Sequence, residues 1–278
     1  MAIKGSVFAL GLFALAGTGW GAVPAASPSQ APLSPTTVAA REIVRVVGDR
    51  RLVLLGEKHG TREVPILVGE LLDVWSRSGP VTLGLEIPRD EQPVLDRYLA
   101  SPGDNDARTK LLSSPFWSIE RGDQHDGRRS HDMLALIERI RVLHNQGRNV
   151  HLLAYDRHSA DKMDHHGRDR AMAERVAGAH RSQRRVRVVV LAGNVHAMLR
   201  RPASAPPQMQ LSMGWHLRDR DPFAIDIVAQ SGHFWGCTTR CGPVASIAPP
   251  RSQRLQGDVF HYVAVLPVFT VARLVGAP

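Results

Sequence analysis

Short apolar runs alternate along this chain with longer stretches in which apolar residues recur at helical spacing. The clearest runs each predict a strand buried on both faces, and they occupy residues 51–55, 81–85, 150–154 and 186–191. Between and after them, the helical period predicts helices over residues 63–76, 90–99, 131–145 and 169–179. Strands separated by helices imply right-handed crossovers. We therefore predict an α/β fold, with a mainly parallel central sheet and helices on both faces.

Two further regions complete the predicted single domain. The segments at residues 223–228 and 261–266 are expected to add edge strands. Residues 101–129 are polar and rich in turn-forming residues, so we expect a long, partly helical insertion there. Within this insertion, Phe116 and Trp117 either wall an apolar pocket or form a small satellite core.

The first 25 residues are typical of a secretory signal peptide. Lys4 supplies the positive start, residues 7–16 form an apolar run, and small residues follow at 19–26. Because this run is too short to span a bilayer, we predict a periplasmic or secreted protein without stable membrane insertion after signal removal. We expect a flexible Pro- and Ser-rich leader at residues 26–40, followed by the folded domain at residues 41–278.

The charge balance does not favour nucleic acid as a partner. Lys and Arg number 35 against 26 Asp and Glu, which gives a net charge of +9. The basic residues are spread along the chain, and aromatic residues make up only 5% of it, so no interleaved basic and aromatic patch is present. We expect a small-molecule substrate or haem as the partner instead, given the many histidines.

Only two cysteines are present, Cys237 and Cys241. In an exported protein such a pair favours a disulfide that closes a small surface loop. The alternative is a pair of metal thiolates, for which His233 is the nearest further ligand.

Ionisable residues follow each of the four predicted core strands. Glu57 and His59 follow the first strand, Glu86 the second, Asp156 the third and His196 the fourth. Ligands of open parallel sheets bind beyond the carboxyl ends of the strands, so these side chains are expected to meet in one cleft. Glu57 and His59 are two residues apart and point the same way in an extended chain. A histidine beside two carboxylates suits a general base or a ligand oriented by them.

These motifs and their order resemble the erythromycin esterase/ChaN-like superfamily, a group that includes the TraB and Tiki proteins. The resemblance covers about residues 50–200, and its motifs are Gly56-Glu57-x-His59-Gly60-Thr61, Leu85-Glu86, Arg168-Asp169-x-x-Met172-Ala173 and Gly193-Asn194-x-His196-Ala197. The first motif is similar to the erythromycin esterase branch, whereas the last two are closer to the ChaN branch, whose members are linked to haem or iron binding.

The resemblance implies an α/β domain whose site is built from five residues, which are Glu57, His59, Glu86, Arg168 and His196. It also implies differences from the known branches. The chain is shorter than a typical erythromycin esterase, which predicts a reduced helical lid, and it lacks the lipid-anchoring cysteine of many ChaN-like proteins.

Two functions follow from this site. In the first, the protein is an exported hydrolase in which His59 activates water on an ester or amide, aided by Glu57 and Glu86. Arg168 and His196 then stabilise the oxyanion. In a variant of this hypothesis, a divalent metal activates the water. Its tentative ligands are Glu57, His59, Glu86 and His196.

In the second function, the protein binds haem or iron in the cell envelope. A histidine or a tyrosine would be the axial ligand, with Tyr98 and Tyr155 as the tyrosine candidates. No serine-nucleophile elbow, P-loop or HExxH motif is present, which disfavours serine hydrolases, nucleotide-binding proteins and thermolysin-like enzymes.

Overall fold

The computed structural model of the chain describes residues 32–118, 125–157, 165–182, 185–206, 209, 211–237, 239–247 and 259–276. The predicted signal peptide and the first part of the predicted leader lie outside these residues. No helix in the described ranges is both long and apolar enough to cross a membrane.

The fold is built on one mainly parallel sheet, as predicted. Within the described residues its strands are β1 (Leu52–Glu57), β2 (Val81–Pro88), β3 (Val150–Asp156), β4 (Arg187–Gly193), β5 (Phe223–Cys237), β6 (Cys241–Ala245) and β7 (Tyr262–Phe269). They are arranged in the order β3-β2-β4-β1-β5-β6, and β7 also pairs with β5. All these pairings are parallel except the β5–β6 hairpin, which is antiparallel. The four predicted core strands are therefore neighbours that run in the same direction.

Helices cover both faces of the sheet. In the described part of the chain they are α1 (Pro35–Val47), α2 (Glu63–Ser78), α3 (Gln92–Leu99), α4 (Asn105–Leu112), α5 (His131–Asn145), α6 (His165–Ser182), α7 (Asn194–Ala197) and α8 (Met213–Leu217). One core cluster joins the sheet to α1, α2, α3 and α5, and a second joins its opposite face to α6, α7 and α8. Alternate residues of a strand face opposite sides, so within β1 Leu55 packs into the first cluster and Leu54 into the second.

Helix α1 corrects the predicted boundary of the leader. The helix begins at Pro35, and Ser34 caps it by accepting a hydrogen bond from the Thr37 backbone N–H. Ala40 and Ile43 are buried against the sheet. Residues 35–40 are therefore part of the folded domain and not a flexible leader. A Ser-Pro pair is a common start of a helix, because proline tolerates the first turn, but in this Pro-rich stretch it resembles a linker.

Strand β5 also differs from the prediction. It lies between β1 and β7, so it is an interior strand over its first half and not an edge strand. Its second half leaves the main sheet and forms a hairpin with β6, which is closed by a disulfide between Cys237 and Cys241. The predicted disulfide is thereby confirmed, which leaves no thiolate pair for a metal.

The insertion at residues 101–129 is partly helical because it contains α4. Phe116 and Trp117 are buried in the main core cluster and pack edge to face, so they do not form a separate satellite core.

Candidate functional site

The carboxyl ends of four neighbouring strands carry the site. Glu57 and Asp156 are the last residues of β1 and β3, Glu86 lies near the end of β2, and Gly193 ends β4. Because the four strands are parallel, these positions meet at the same edge of the sheet.

The His59 imidazole lies between two buried carboxylates. Its Nδ1 is 3.1 Å from Glu57 Oε1, and its Nε2 is 3.5 Å from Glu86 Oε2. Both glutamates are about 95% buried, whereas 21% of the His59 side chain is exposed. Since an ionised carboxylate only accepts hydrogen bonds, Glu57 fixes a proton on Nδ1 and directs Nε2 toward Glu86 and the cleft.

Arg168, on helix α6, bridges the carboxylates at the ends of β2 and β3. Its guanidinium donates to Glu86 Oε1 at 2.6 Å and to both oxygens of Asp156 at 2.8 Å. The remaining Glu86 oxygen accepts a hydrogen bond from the Gly193 backbone N–H at 2.9 Å. Glu86 is therefore held at both oxygens, which fixes its position and its charge.

His196 contacts two neighbouring residues of helix α6, Arg168 and Asp169. Its Nδ1 is 2.8 Å from Asp169 Oδ1, which also accepts the Met213 backbone N–H at 2.6 Å. Its Nε2 is 3.2 Å from a guanidinium nitrogen of Arg168. Because arginine only donates hydrogen bonds, this contact opposes protonation of His196 at Nε2, whereas the Glu86 and Asp169 carboxylates outweigh burial and raise the pKa of His196.

The structure thus brings together all five residues named from the sequence. It adds Arg128, which sequence reasoning missed because it follows no strand and comes from the segment between α4 and α5. Its guanidinium donates to the Glu86 carbonyl oxygen at 2.9 Å, to Asp156 at 3.1 Å and to Asp126 at 2.6 Å. In the sequence, His125-Asp126 and His131-Asp132 flank the Arg128-Arg129 pair, but this pattern does not indicate a place in the fold.

Burial and charge together perturb the proton affinities of the site. Burial raises the pKa of Glu57. Burial alone would lower the pKa of His59, but the Glu86 and Glu57 carboxylates outweigh it and raise that pKa to about 10. Burial likewise opposes ionisation of Glu86, but the charges of His59, His196 and Arg128 hold the pKa of Glu86 well below its usual range. The raised pKa of His59 favours its protonated form at neutral pH, between Glu57 and Glu86.

A narrow cleft opens beside His59. Its volume is small, about 10 Å³. Glu57, His59, Glu86 and Arg128 line its polar side. Its apolar side is formed by Leu85, Ile87, Met133 and Leu191. A space of this size suits about one water molecule beside the His59 imidazole.

The residues present do not fit the metal site that the sequence suggested. Among the residues that the structure describes, no group of three or more His, Cys, Asp or Glu side chains is placed to hold an ion. The oxygens of Glu86 already accept N–H groups from Arg168 and Gly193, and the positive charges of Arg128 and Arg168 lie beside them. Two guanidinium groups around a carboxylate oppose the binding of a further cation.

The two tyrosines considered as haem ligands do not fit that role either. Tyr98 is buried and donates a hydrogen bond to Glu138 at 2.7 Å. Tyr155 is buried in the second core cluster and donates to the Leu191 carbonyl oxygen at 2.7 Å, and burial raises its pKa well above the usual value. An axial tyrosine needs a free phenolate at an open face, which neither residue offers.

A second polar group lies on the opposite face of the sheet, behind β1. Asp226 of β5 pairs in register with Gly56, and Lys58 lies 3.4 Å from Asn194 Oδ1. Burial raises the pKa of Asp226 to about 6, although Lys58 and Asn194 act in the other direction. This group is separate from the His59 cleft, because successive residues of β1 point to opposite faces.

No family model matches the chain, and no curated protein matches it. Among solved structures, an erythromycin esterase mutant in its open conformation superposes with a TM-score of 0.57, at 14% identity over 75% of this chain and 79% of that one.

Two further solved structures superpose over more of the chain. A protein from Bacillus cereus gives a TM-score of 0.64 at 12% identity, over 87% of this chain and 96% of that one. A succinoglycan biosynthesis protein gives 0.59 at 9% identity, over 84% and 91%. At these identities the comparison establishes the fold: the chain has the erythromycin esterase-like α/β fold that its motifs predicted.

Proposed function

We propose that the protein is a hydrolase that activates water on an ester or amide substrate in the His59 cleft. The observation that supports this most directly is the His59 imidazole, held between Glu57 and Glu86 at 3.1 and 3.5 Å and lining an open cleft. A carboxylate that fixes one imidazole nitrogen and leaves the other toward the substrate is the arrangement of a general base.

In this proposal, His59 in its neutral form takes a proton from water at Nε2. The hydroxide attacks the substrate carbonyl, and His59 then returns the proton to the leaving alcohol or amine. Glu57 stabilises the imidazolium that forms in between. Arg128, which lines the cleft, stabilises the negative charge that develops on the carbonyl oxygen.

The roles proposed for Arg168 and His196 change from those expected from sequence. Arg168 is not among the residues that line the cleft, whereas Arg128 is, so Arg168 is not placed to contact an oxyanion there. Both residues act instead by holding Glu86 in place, which in turn sets the charge around His59.

The test is hydrolysis of a panel of nitrophenyl esters and amides by wild-type protein and by the variant His59→Gln. Loss of a general base lowers turnover by about 100-fold or more. The control is His151→Gln, which changes an exposed histidine of β3 and should leave turnover unchanged. Equal turnover by wild type and His59→Gln would remove the proposed base.

We also propose that the protein acts outside the cytoplasm. The support is the Cys237–Cys241 disulfide, a bond that persists in oxidising compartments, together with the signal-like sequence at residues 1–25. Mass spectrometry of protein from the native cell envelope should find the first 21–26 residues removed, and a retained Met1 would contradict export.

A further inference from the structure

The disulfide-closed hairpin touches two segments that each deliver a residue to the cleft. The first is the turn at residues 59–60, which follows β1 and carries His59. The second is the segment at residues 125–128, which carries Arg128. Trp235 of β5 contacts both segments, and it lies two residues before Cys237 in the antiparallel pairing with β6.

The contact with the first segment requires a glycine. The Trp235 backbone N–H donates to the Gly60 carbonyl oxygen at 3.0 Å. Gly60 has a φ of +69°, and a Cβ added there would lie 2.5 Å from the Trp235 Cβ. The turn that carries His59 is therefore packed directly on the backbone of the hairpin, and no larger residue fits between them.

The contact with the second segment is made by the indole. Trp235 Nε1–H donates to the His125 carbonyl oxygen at 2.6 Å. Gly127 has a φ of +90°, and a Cβ added there would lie 2.8 Å from Gly60 and 2.9 Å from the Trp235 carbonyl oxygen. The two segments and the hairpin thus meet at one point, next to Arg128 and one residue beyond His59.

We infer that Trp235 is a positioning residue, and that the hairpin holds His59 and Arg128 in the cleft only while Cys237 and Cys241 are joined. The physical reason is that residues 235–237 leave the main sheet and, within the described part of the chain, form strand pairs only with the short strand β6, so the disulfide limits how far they move. The inference rests on the proposed function for its catalytic consequence, but its structural part is independent of any substrate.

Two variants test the indole contact and the closure of the hairpin separately. Trp235→Phe keeps a ring and the backbone hydrogen bond to Gly60 but removes the indole donor to His125. The double variant Cys237→Ser/Cys241→Ser removes the closure of the hairpin. The control is Trp75→Phe, which changes a buried tryptophan that stacks on Arg187 at the opposite, amino-terminal edge of the sheet.

The first measurement is hydrogen–deuterium exchange of the peptides covering residues 57–62 and 125–129. We expect Trp235→Phe to speed exchange in residues 125–129 about tenfold, and the double serine variant to speed it in both segments. Trp75→Phe should lower the melting temperature without changing exchange in either segment. Unchanged exchange in Trp235→Phe, or an equal change in Trp75→Phe, would overturn the inference.

The second measurement is ester hydrolysis before and after reduction. Dithiothreitol reduces the bond by two successive thiol–disulfide exchanges, which leave both cysteines as thiols and the reagent as a cyclic disulfide. Misplaced catalytic groups should lower kcat about tenfold or more with a smaller change in KM, and reoxidation should restore it. If the reduced protein keeps full kcat, the inference is wrong. If wild type hydrolyses no ester, the proposed function fails, while hydrogen exchange still decides the positioning role.

Discussion

The substitution Glu57→Gln should move the pH dependence of hydrolysis toward neutral pH. In wild type the pKa of His59 is raised from 6.5 to about 10, because the Glu86 and Glu57 carboxylates outweigh burial. A base must be neutral to accept a proton, so kcat/KM should rise about tenfold per pH unit between pH 7 and 9 and level off near pH 10. Glutamine removes the charge at position 57 but keeps an oxygen that accepts the Nδ1–H of His59.

The size of the change follows from the geometry. Glu57 Oε1 lies 3.1 Å from His59 Nδ1, and at an effective dielectric constant of about 20 two such charges interact by about 5 kcal/mol, or about 4 pKa units. This is an upper limit, because Glu86 contributes to the same raised pKa and remains in the variant. We expect the pKa of His59 to fall by about 2 units in Glu57→Gln.

The two pH profiles should therefore cross. At pH 7 a larger fraction of the variant is in the neutral, active form, whereas at pH 10 the weaker base gives a lower plateau. The assay is kcat/KM for a nitrophenyl ester from pH 6 to 11, with the His59 imidazole followed by NMR over the same range. Glu42→Gln changes a partly exposed glutamate of α1 that pairs with Arg45; it is the matched control and should leave the profile unchanged. A wild-type profile without a rising limb, or a limb that Glu57→Gln does not move, would refute the reasoning.

Three further predictions concern charge and metal. Burial raises the pKa of Asp226 from 3.8 to about 6, so the folded state loses stability as the pH rises from about 4 to about 6. Asp226→Asn should therefore raise the free energy of unfolding by about 3 kcal/mol at pH 8, and by less than about 1 kcal/mol at pH 4, in urea titrations. Arg168→Met removes a positive charge from the buried carboxylates of Glu86 and Asp156, so it should lower the free energy of unfolding by about 3 kcal/mol in the same assay. A decrease below about 1 kcal/mol would contradict a stabilising role of these ion pairs. Ester hydrolysis should not respond to a chelator, since the oxygens of Glu86 are already engaged, and restoration by an added divalent ion after chelation would show this wrong.

The site residues at the strand ends could be predicted because their position depends only on the topology of the sheet. Each core strand is a continuous apolar run, and parallel strands deliver whatever follows them to one edge. Glu57, His59, Glu86 and His196 all follow such runs, so their convergence required only the correct strand directions.

Arg128 could not be predicted in the same way. It lies in an insertion without a strand, and its place depends on contacts between residues 125–128, the Gly60 turn and Trp235, which are distant in sequence. The start of α1 was missed for a different reason. Ser34 and Pro35 carry a helix-start signal, but the prolines around them gave the stretch the composition of a linker.

Glu57 and Glu86 differ in the groups that they contact, and this difference determines which residue transfers the proton in the proposed reaction. Glu86 accepts hydrogen bonds at both oxygens from Arg168 and the Gly193 amide, its Oε2 lies 3.5 Å from His59 Nε2, and its pKa is held low. It therefore serves as a fixed negative charge and neither as a base nor as a nucleophile. Glu57 is buried away from such donors and contacts His59. In the proposed hydrolysis, the proton therefore passes through the Glu57–His59 pair, and the arginines around Glu86 keep that pair in place.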